Sequence, residues 1–483
     1  MPNKKIYVTT FIISICLSFL LVSAESSISF FQIINLKGRD LYFQVRHAFF
    51  SSADKANEIL LVTIDDETLK QLQQSWPFLR SVYVEAIDRL KPYAPKAVGF
   101  DLIFSGKDLI LERDALFSAA LKEAGNVVVA AYQSSVGEIG PESMIGQNVW
   151  RIGIVDKPRD QDHLVRRAFL SFSIAGSVLP SWEAAISEKV LGKSWPLNPS
   201  KQFVIDYRLR PKEFSNISLW RLLEGSVLAN ELRNKIVLIG PTAEVFHDFH
   251  ATPLGLMPGL AVNANVLTTL MRNQFFSEPP MSVLVLPLIS FFSIWLVLLA
   301  GLSKPLKRGL LSLFFFIALY LITGFAMFLS YVLIDFWALS VSMVLIFVGA
   351  NLFQYGSLWF LSGQLRKASK PDPSTGFYTE KFLDLKLQME LKRHRNLAVL
   401  MIRSKGLISS ASQILRISVR KTELVCHFED GFVILLPNTD LNDAKRFGEK
   451  ITHVAQQSSQ ITFKTAAIYV ADLRMIKSGW NSF

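Results

Sequence analysis

Four long runs with almost no charge constrain this chain more than any other feature of its sequence. Residues 6–24, 281–302 and 309–330 contain no Asp, Glu, Lys or Arg, and 332–361 contains only Asp335. A helix that crosses a bilayer needs about 20 consecutive, mostly apolar residues. Asp335 stands near one end of its run, where a carboxylate reaches the interface. The chain is 50% hydrophobic and 19% charged, against about 25% charge in soluble domains. That balance excludes disorder as the dominant state and argues against a wholly soluble protein.

The basic residues give a topology. Lys4 and Lys5 precede the first run, Lys304, Lys307 and Arg308 separate the second and third, and Arg366, Lys367 and Lys370 follow the last. If all four runs cross, these clusters fall on one side, which is the cytoplasmic side by the positive-inside rule. Both termini are then cytoplasmic and residues 26–280 lie outside. The net charge of +11 is read as such flanks rather than as a nucleic-acid surface. The Lys392-Arg393-His394-Arg395 run, without interleaved aromatics, is read as a solvated face or membrane-surface contact. Residues 1–25 are expected to be an uncleaved anchor because the run is long for a signal peptide. Val22-Ser23-Ala24 keeps cleavage open as the alternative. Two Cys exclude a disulfide scaffold, and Cys16 and Cys426 fall in different compartments.

Residues 26–280 alternate short apolar strands with helices. Strands are expected at 59–64, 97–104, 127–132, 202–207 and 235–239, with helices at 66–74, 80–90, 114–123 and 261–271. Continuous apolar strands in that order argue for an α/β domain, a mostly parallel sheet with helices on both faces. Ligands in such sheets sit beyond the carboxyl ends of the strands. Asp65, Asp101 and Asp248, with Arg80, are therefore the candidate ligand-binding residues; Asp206 and Thr242 fall in similar places. The competing reading makes these carboxylates helix caps and arginine partners. His247, Asp248 and His250 invite a zinc reading, but no fourth ligand accompanies them and a polar loop is preferred. No metal, cofactor or Ser nucleophile motif is expected.

The segment resembles the second family of CHASE sensor domains, extracytoplasmic modules of bacterial cyclases and histidine kinases. The resemblance rests on Val62-Thr63-Ile64-Asp65, Trp76-Pro77-Phe78-Leu79-Arg80-Ser81, Gly99-Phe100-Asp101-Leu102-Ile103-Phe104, and Gly153 through Asp162 to Arg166-Arg167. It continues through Lys235-Ile236-Val237-Leu238-Ile239-Gly240, Asp248 with Ala251-Thr252-Pro253, and Pro258-Gly259 with Asn263-Ala264-Asn265. It implies a sensor in the bacterial cytoplasmic membrane, followed by three membrane helices at 281–302, 309–330 and 332–361. It names no stimulus.

Residues 366–483 read as a small α+β domain with a hairpin formed by 423–427 and 432–436. This order resembles the GGDEF family of diguanylate cyclases, which join two GTP into cyclic di-GMP. Asp372-Pro373-Ser374-Thr375-Gly376-Phe377-Tyr378 is similar to the opening motif, and Phe432-Val433-Ile434-Leu435-Leu436-Pro437 to the strand after the signature turn. The signature itself reads His427-Phe428-Glu429-Asp430-Gly431-Phe432, without the glycine pair. Arg403 stands where the resemblance implies a metal-binding Asp, and a cation there repels Mg²⁺. The stretch between Lys405 and Thr422 reads as shortened. Arg420 and Glu423 are similar to a product-binding motif, one residue out of register.

The expectation is a membrane-bound sensor that relays an external stimulus to a catalytically inactive, cyclase-like domain. It is expected to act as a homodimer on a cytoplasmic signalling protein or nucleotide, with Trp359 to Lys370 as coupler. A working or remodelled nucleotide cyclase, and an envelope scaffold or interaction protein, are the alternatives.

Overall fold

A computed structural model describes residues 12–17, 28–50, 58–108, 110–134, 137–174, 176–279, 290–296, 306–393, 397–419, 423–457, 461–470 and 473–482. The chain forms two compact units. The larger comprises Cys16–Phe291 and Phe314–Ser342; the smaller comprises Met1–Ile15, Phe292–Leu313 and Met343–Phe483.

The larger unit opens with helix α1 (Ser29–Phe50). There follow β1 (Ile59–Ile64), α2 (Asp66–Leu72), α3 (Arg80–Leu90), β2 (Ala97–Phe100), α4 (Leu111–Ala124), β3 (Val127–Ser134), β4 (Gly137–Ile139) and β5 (Arg151–Ile154). Next come β6 (Arg167–Phe169), α5 (Trp182–Leu191), β7 (Gln202–Val204), β8 (Ser215–Ser218), α6 (Leu219–Glu224) and β9 (Ile236–Pro241). The hairpin of β10 (Phe249–Thr252) and β11 (Gly255–Pro258) leads into α7 (Gly259–Arg272).

The main sheet runs β8-β1-β9-β2-β3-β4, with β5 also on β3. Every pairing in it is parallel except β3 with β4. Strand residues alternate between two cores, as a pleat requires. Leu60, Val62, Ile64, Val98 and Phe100 pack under α3, α4 and α6. Ile59, Leu61, Ala97, Ile236 and Leu238 pack under α5 and α7. The expected mostly parallel sheet with helices on both faces is therefore present.

Two expected strands differ. The run at 97–104 leaves the sheet after Phe100: the bond from Asp101 N to Ile239 O (2.8 Å) closes the ladder with β9, and Leu102 and Phe104 then turn into the core. The run at 202–207 is a strand only at Gln202–Val204, pairing antiparallel with β6 outside the main sheet. Helix α1 was not anticipated.

Helices α8 (Leu306–Leu329) and α9 (Trp337–Ala368) follow. Among the described residues, one helix, Lys307–Leu329, is long and apolar enough to cross a membrane, and Trp337–Leu352 is a shorter apolar helix. The run at 332–361 does not begin as a helix. Residues 330–336 form a turn laid against 277, with Ser277 N donating to Tyr331 O (2.8 Å) and Leu333 N to Ser277 O (2.9 Å). Most of 6–24 and 281–302 lies outside the described residues.

The smaller unit holds α10 (Glu380–Arg393), β12 (Leu397–Lys405), α11 (Ile408–Ser418), β13 (Leu424–Phe428), β14 (Gly431–Pro437), α12 (Leu441–Gln456), β15 (Thr462–Tyr469) and α13 (Leu473–Ser482). Its antiparallel sheet runs β13-β14-β12-β15. One face carries α11 and α12 over Ala398, Leu400 and Ile402; the other carries α10 and α13 over Val399 and Met401. The stretch read as shortened thus still holds a helix, α11.

Two motif glycines have a packing cause. A Cβ at Gly99 would lie 2.5 Å from the Trp182 ring, and one at Gly153 would lie 2.4 Å from Trp182 Cα. The second obstacle is backbone and cannot swing aside. Gly153→Ala is expected to lower full-chain stability by about 1–3 kcal/mol through overpacking. An unchanged thermal midpoint would show that β5 and α5 can separate freely.

Candidate functional site

The carboxyl edge of the main sheet receives the four candidate ligand residues at three separate places. Asp65 follows β1 and caps α2. Its Oδ1 accepts from Thr68 N, Thr68 Oγ1 and Ser218 Oγ, each at 2.9 Å, and Oδ2 accepts from Thr63 Oγ1 at 3.0 Å. This carboxylate is spent on holding β1, α2 and β8 together; such a cap is worth about 1 kcal/mol.

Arg80 begins α3. Its Nε donates to Asp114 Oδ1 (3.1 Å) and its Nη2 to Gly106 O (3.1 Å), while the guanidinium lies 4.9 Å from the Phe104 ring centre. It also walls an open cleft of 580 Å³ with Trp76, Phe78, Lys107 and Asp108. Trp76 is 40% exposed there. A half-exposed indole between two cations and a carboxylate can take a small ligand with both an apolar face and charge.

Asp101 and Asp248 meet at the third place, where β2 and β9 end below the first turns of α5 and α7. Asn263 Nδ2 donates to Asp101 Oδ2 (2.9 Å), and His250 Nε2 lies 3.1 Å from Asp248 Oδ1. Fully buried Glu183, in the first turn of α5, lies 2.8 Å from Lys157 Nζ, which donates to Val155 O at 2.7 Å. Gly259 opens α7 because a Cβ there would be 2.3 Å from an Asp248 carboxylate oxygen. Burial, with the charges of Asp248 and Glu183, pushes the Asp101 carboxyl up to about 7; Lys157 and the Asn263 hydrogen bond oppose this. The arrangement can hold a proton near neutrality. Lys157 and Glu183 were not anticipated, although a glutamate beside Trp182 in an apolar helix is a sign of a buried charge. Among the described residues, no group of three or more His, Cys, Asp and Glu could hold a metal ion.

A further cluster sits where α1 crosses the turn between α8 and α9. Arg39 Nε and Nη2 donate to the two oxygens of Asp335, both at 2.8 Å, and Nη1 donates to Glu278 (2.7 Å). Arg167 Nη2 also donates to Glu278 (2.9 Å). Ala338 N donates to Asn35 Oδ1 (2.8 Å), and Gly38 leaves room for the Trp337 ring, which would lie 2.0 Å from a Cβ. Arg166 grips Asp40 with two bonds of 2.7 Å and also reaches Asp160 and Asp162. Hydrogen bonds from Arg166 hold the Asp162 carboxyl well below the usual carboxylate range. Asp206 is buried against Arg46, Arg208 and Tyr331 rather than open to a ligand. Arg166 and Arg167 belong to the sequence motif, as do Asp160 and Asp162; Asp40 and Glu278 are remote in sequence and could not be read from it.

In the smaller unit, Arg403 lies opposite Gly431 across the β12–β14 ladder. Its Nε is 3.2 Å from Asp430, its Nη2 donates to Trp480 O (3.2 Å), and it lies 5.3 Å from the Trp480 ring centre. Trp480 Nε1 donates to Asp430 Oδ1 (3.0 Å). Glu429 and Asp430 form a two-residue turn between Phe428 and Gly431, and Glu429 takes a φ of 48°, a conformation that favours glycine. Gly431 is fixed by contact, since its Cβ would be 2.1 Å from Ile402 O. Phe428 packs on Trp480 and Phe432 on Phe377, both in the core. Glu423 lines a 290 Å³ groove with Arg416, Phe377 and Tyr378. Arg420 lies outside the described residues. Trp480 was missed, although Leu473, Ile476 and Trp480 carry helical spacing.

The Asp101 cluster gives a signed pH dependence. A carboxyl whose folded pKa is raised from 3.8 to about 7 contributes stability that is full below its unfolded value and is lost as pH rises through about 7. Thermal midpoints of the full chain should therefore fall more steeply with rising pH than those of Asp101→Asn between about pH 4 and pH 7, the window between the unfolded and folded values. Parallel curves would remove the assignment.

Comparison with known proteins adds the family. The CHASE2 domain model matches residues 12–303, a longer stretch than the segment 26–280 that carries the resemblance. No curated protein matches the chain. Among solved structures, the diguanylate cyclase SiaD from Pseudomonas aeruginosa, in complex with its activator SiaC, is similar over 26% of this chain and 59% of its own, with 17% identity and a TM-score of 0.20. This chain thus spans less than two thirds of that cyclase. The GGDEF domain of PA1120 (TpbB or YfiN) from the same organism is similar over 20% of this chain and 72% of its own, with 21% identity and a TM-score of 0.18. These two likenesses say nothing about activity. The CHASE2 match covers more than half of the sequence, and the chain belongs to the CHASE2 domain family.

Proposed function

We propose that this protein is a multi-pass membrane sensor whose extracytoplasmic CHASE2 domain signals through α9 to a cyclase-like domain without catalytic activity. The observation that carries this reading is the hold of Arg39 on both oxygens of Asp335. It ties the sensor unit to the turn from which α9 starts. A displacement of the sensor then has to move the start of α9 or break a charged pair. At its other end, α9 places Leu365 and Ala368 against the core built on Leu383, Leu387 and Trp480. The expected coupler, Trp359 to Lys370, includes these last turns. On this reading four segments cross the bacterial cytoplasmic membrane, residues 26–280 face outward and the C-terminal domain is cytoplasmic. The cleft beside Arg80 supports ligand sensing over an envelope scaffold.

Inactivity of the C-terminal domain is supported by Arg403. A guanidinium paired with Asp430 and stacked on Trp480 stands where the GGDEF resemblance implies a metal-binding carboxylate. Phosphoryl chemistry of that kind needs Mg²⁺ held by carboxylates. Output is then by binding a partner protein or a nucleotide, from a homodimer.

Hydrogen exchange on the full-length protein tests the relay. Arg39→Ala should raise exchange at 376–393, which the substitution does not touch; a change that stops at Trp337 would sink the relay. Arg39→Ala and Asp335→Ala combined should show a coupling of about 0.5–3 kcal/mol. Incubation of the same protein with GTP and Mg²⁺ should yield no cyclic di-GMP. Turnover by the unmodified chain would replace this reading with that of a working cyclase.

A further inference from the structure

Helix α1 has two occupied sides and one bare side. Towards the α8–α9 turn, Tyr42 packs its ring 5.6–5.7 Å from Phe325, Phe328 and Trp337. Towards the sensor domain, Lys37 meets Asp162 (2.8 Å), Asp40 meets Arg166, Gln44 donates to Pro253 O (3.0 Å) and His47 lies 2.8 Å from Glu213. The third side carries Phe30, Ile34, Leu41, Val45 and Phe49. At roughly 100° per residue these fall, with Phe31 and Ala48, in one sector without a polar side chain; Gly38, also in it, is buried against Trp337. Phe30 is 57%, Leu41 42% and Phe49 79% exposed.

An apolar stripe of that length needs a cover. Its continuity identifies the cover. Tyr42, which borders the stripe, packs its ring 5.7 Å from Phe325 of α8, the helix suited to crossing the membrane. On α8, Phe315, Leu319 and Ile322 are themselves exposed. The stripe on α1 therefore extends an exposed apolar surface of α8. The charged residues of α1, namely Lys37, Arg39, Asp40, Arg46 and His47, are all turned into ion pairs with the rest of the unit. A helix with one apolar face and its charge on the other sides is suited to lie in the membrane surface.

We infer that α1 lies in the outer surface of the bilayer, with its Phe30–Phe49 stripe immersed among the lipids. This rests on the membrane reading proposed above. The sensor is then held by lipid as well as by its spans, and the Arg39 clamp sits at the boundary of the hydrocarbon.

Nitroxide labels test this in the full-length protein in phosphatidylcholine–phosphatidylglycerol nanodiscs, with Cys16→Ala and Cys426→Ala as background. Labels go at Phe49→Cys, at Leu41→Cys and, for reference, at Ile322→Cys on α8. Dissolved oxygen, which concentrates in lipid, should relax all three labels more strongly than a water-soluble nickel chelate does. Nickel-dominated relaxation at 49 and 41 with oxygen-dominated relaxation at 322 would overturn the inference and leave the membrane reading standing. Nickel-dominated relaxation at 322 would overturn both. Shielding of 49 and 41 from both agents, with spin–spin broadening, would show a second copy on the stripe and overturn the lipid assignment.

Discussion

One guanidinium ties together three segments that are far apart in sequence. Arg39 of α1 reaches Asp335 in the α8–α9 turn and Glu278 beyond α7. The two-bond contact with Asp335 fixes orientation as well as proximity. Most surface ion pairs contribute little. This one is only part exposed, and its carboxylate stands at the end of an apolar run. On the proposed membrane reading, Asp335 without Arg39 would be a lone charge beside hydrocarbon, which is costly. The placement of α1, the turn at 330–336 and the start of α9 all follow from satisfying that carboxylate.

The sheet imposes a second constraint. Insertion of β9 between β1 and β2 brings the ends of β9 and β2 under the first turns of α5 and α7. Glu183 and Asp248 gain from the positive ends of those helices. Asp101 is raised by burial and by their negative charge, with Lys157 as the nearby cation. The same packing that makes Gly240 and Gly259 necessary thus creates one carboxyl that retains a proton near neutrality. Asp65, two strands away, is held by four hydrogen bonds.

What was legible in the sequence follows from how local each cause is. Strand 59–64 and helix 80–90 agree with Ile59–Ile64 and Arg80–Leu90 to the residue. Their hydrophobic patterns and ends are contained in the segment itself. The run at 97–104 was overextended because Leu102 and Phe104 stay buried after leaving the sheet, so apolar character outlasts strand geometry. The capping role of Asp65 was legible as the competing reading of an Asp before a helix. The Arg39 clamp was not, since its partners lie 296 and 239 residues away and no local periodicity encodes them. The dinucleotide-like logic of strand ends also could not separate Asp206, which the fold uses to neutralise Arg46 and Arg208.

On the proposed reading, the turn at Glu429 and Asp430 shows how a relay domain can reuse a catalytic frame. A phosphoryl-transfer site must keep carboxylates and backbone amides open to metal and phosphate. Here Asp430 is engaged by Arg403 and by the Trp480 indole, and Glu429 fills the left-handed position with a side chain. Trp480 belongs to α13, whose Ile476 shares a core with Leu383 and Leu387 of α10. Leu365 and Ala368 of α9 pack on that same core. On the proposed reading, the turn that would have faced a nucleotide is connected through α13 and α10 to the helix arriving from the membrane. The residues lost to chemistry are then the ones that let a movement of α9 reach the far edge of the domain.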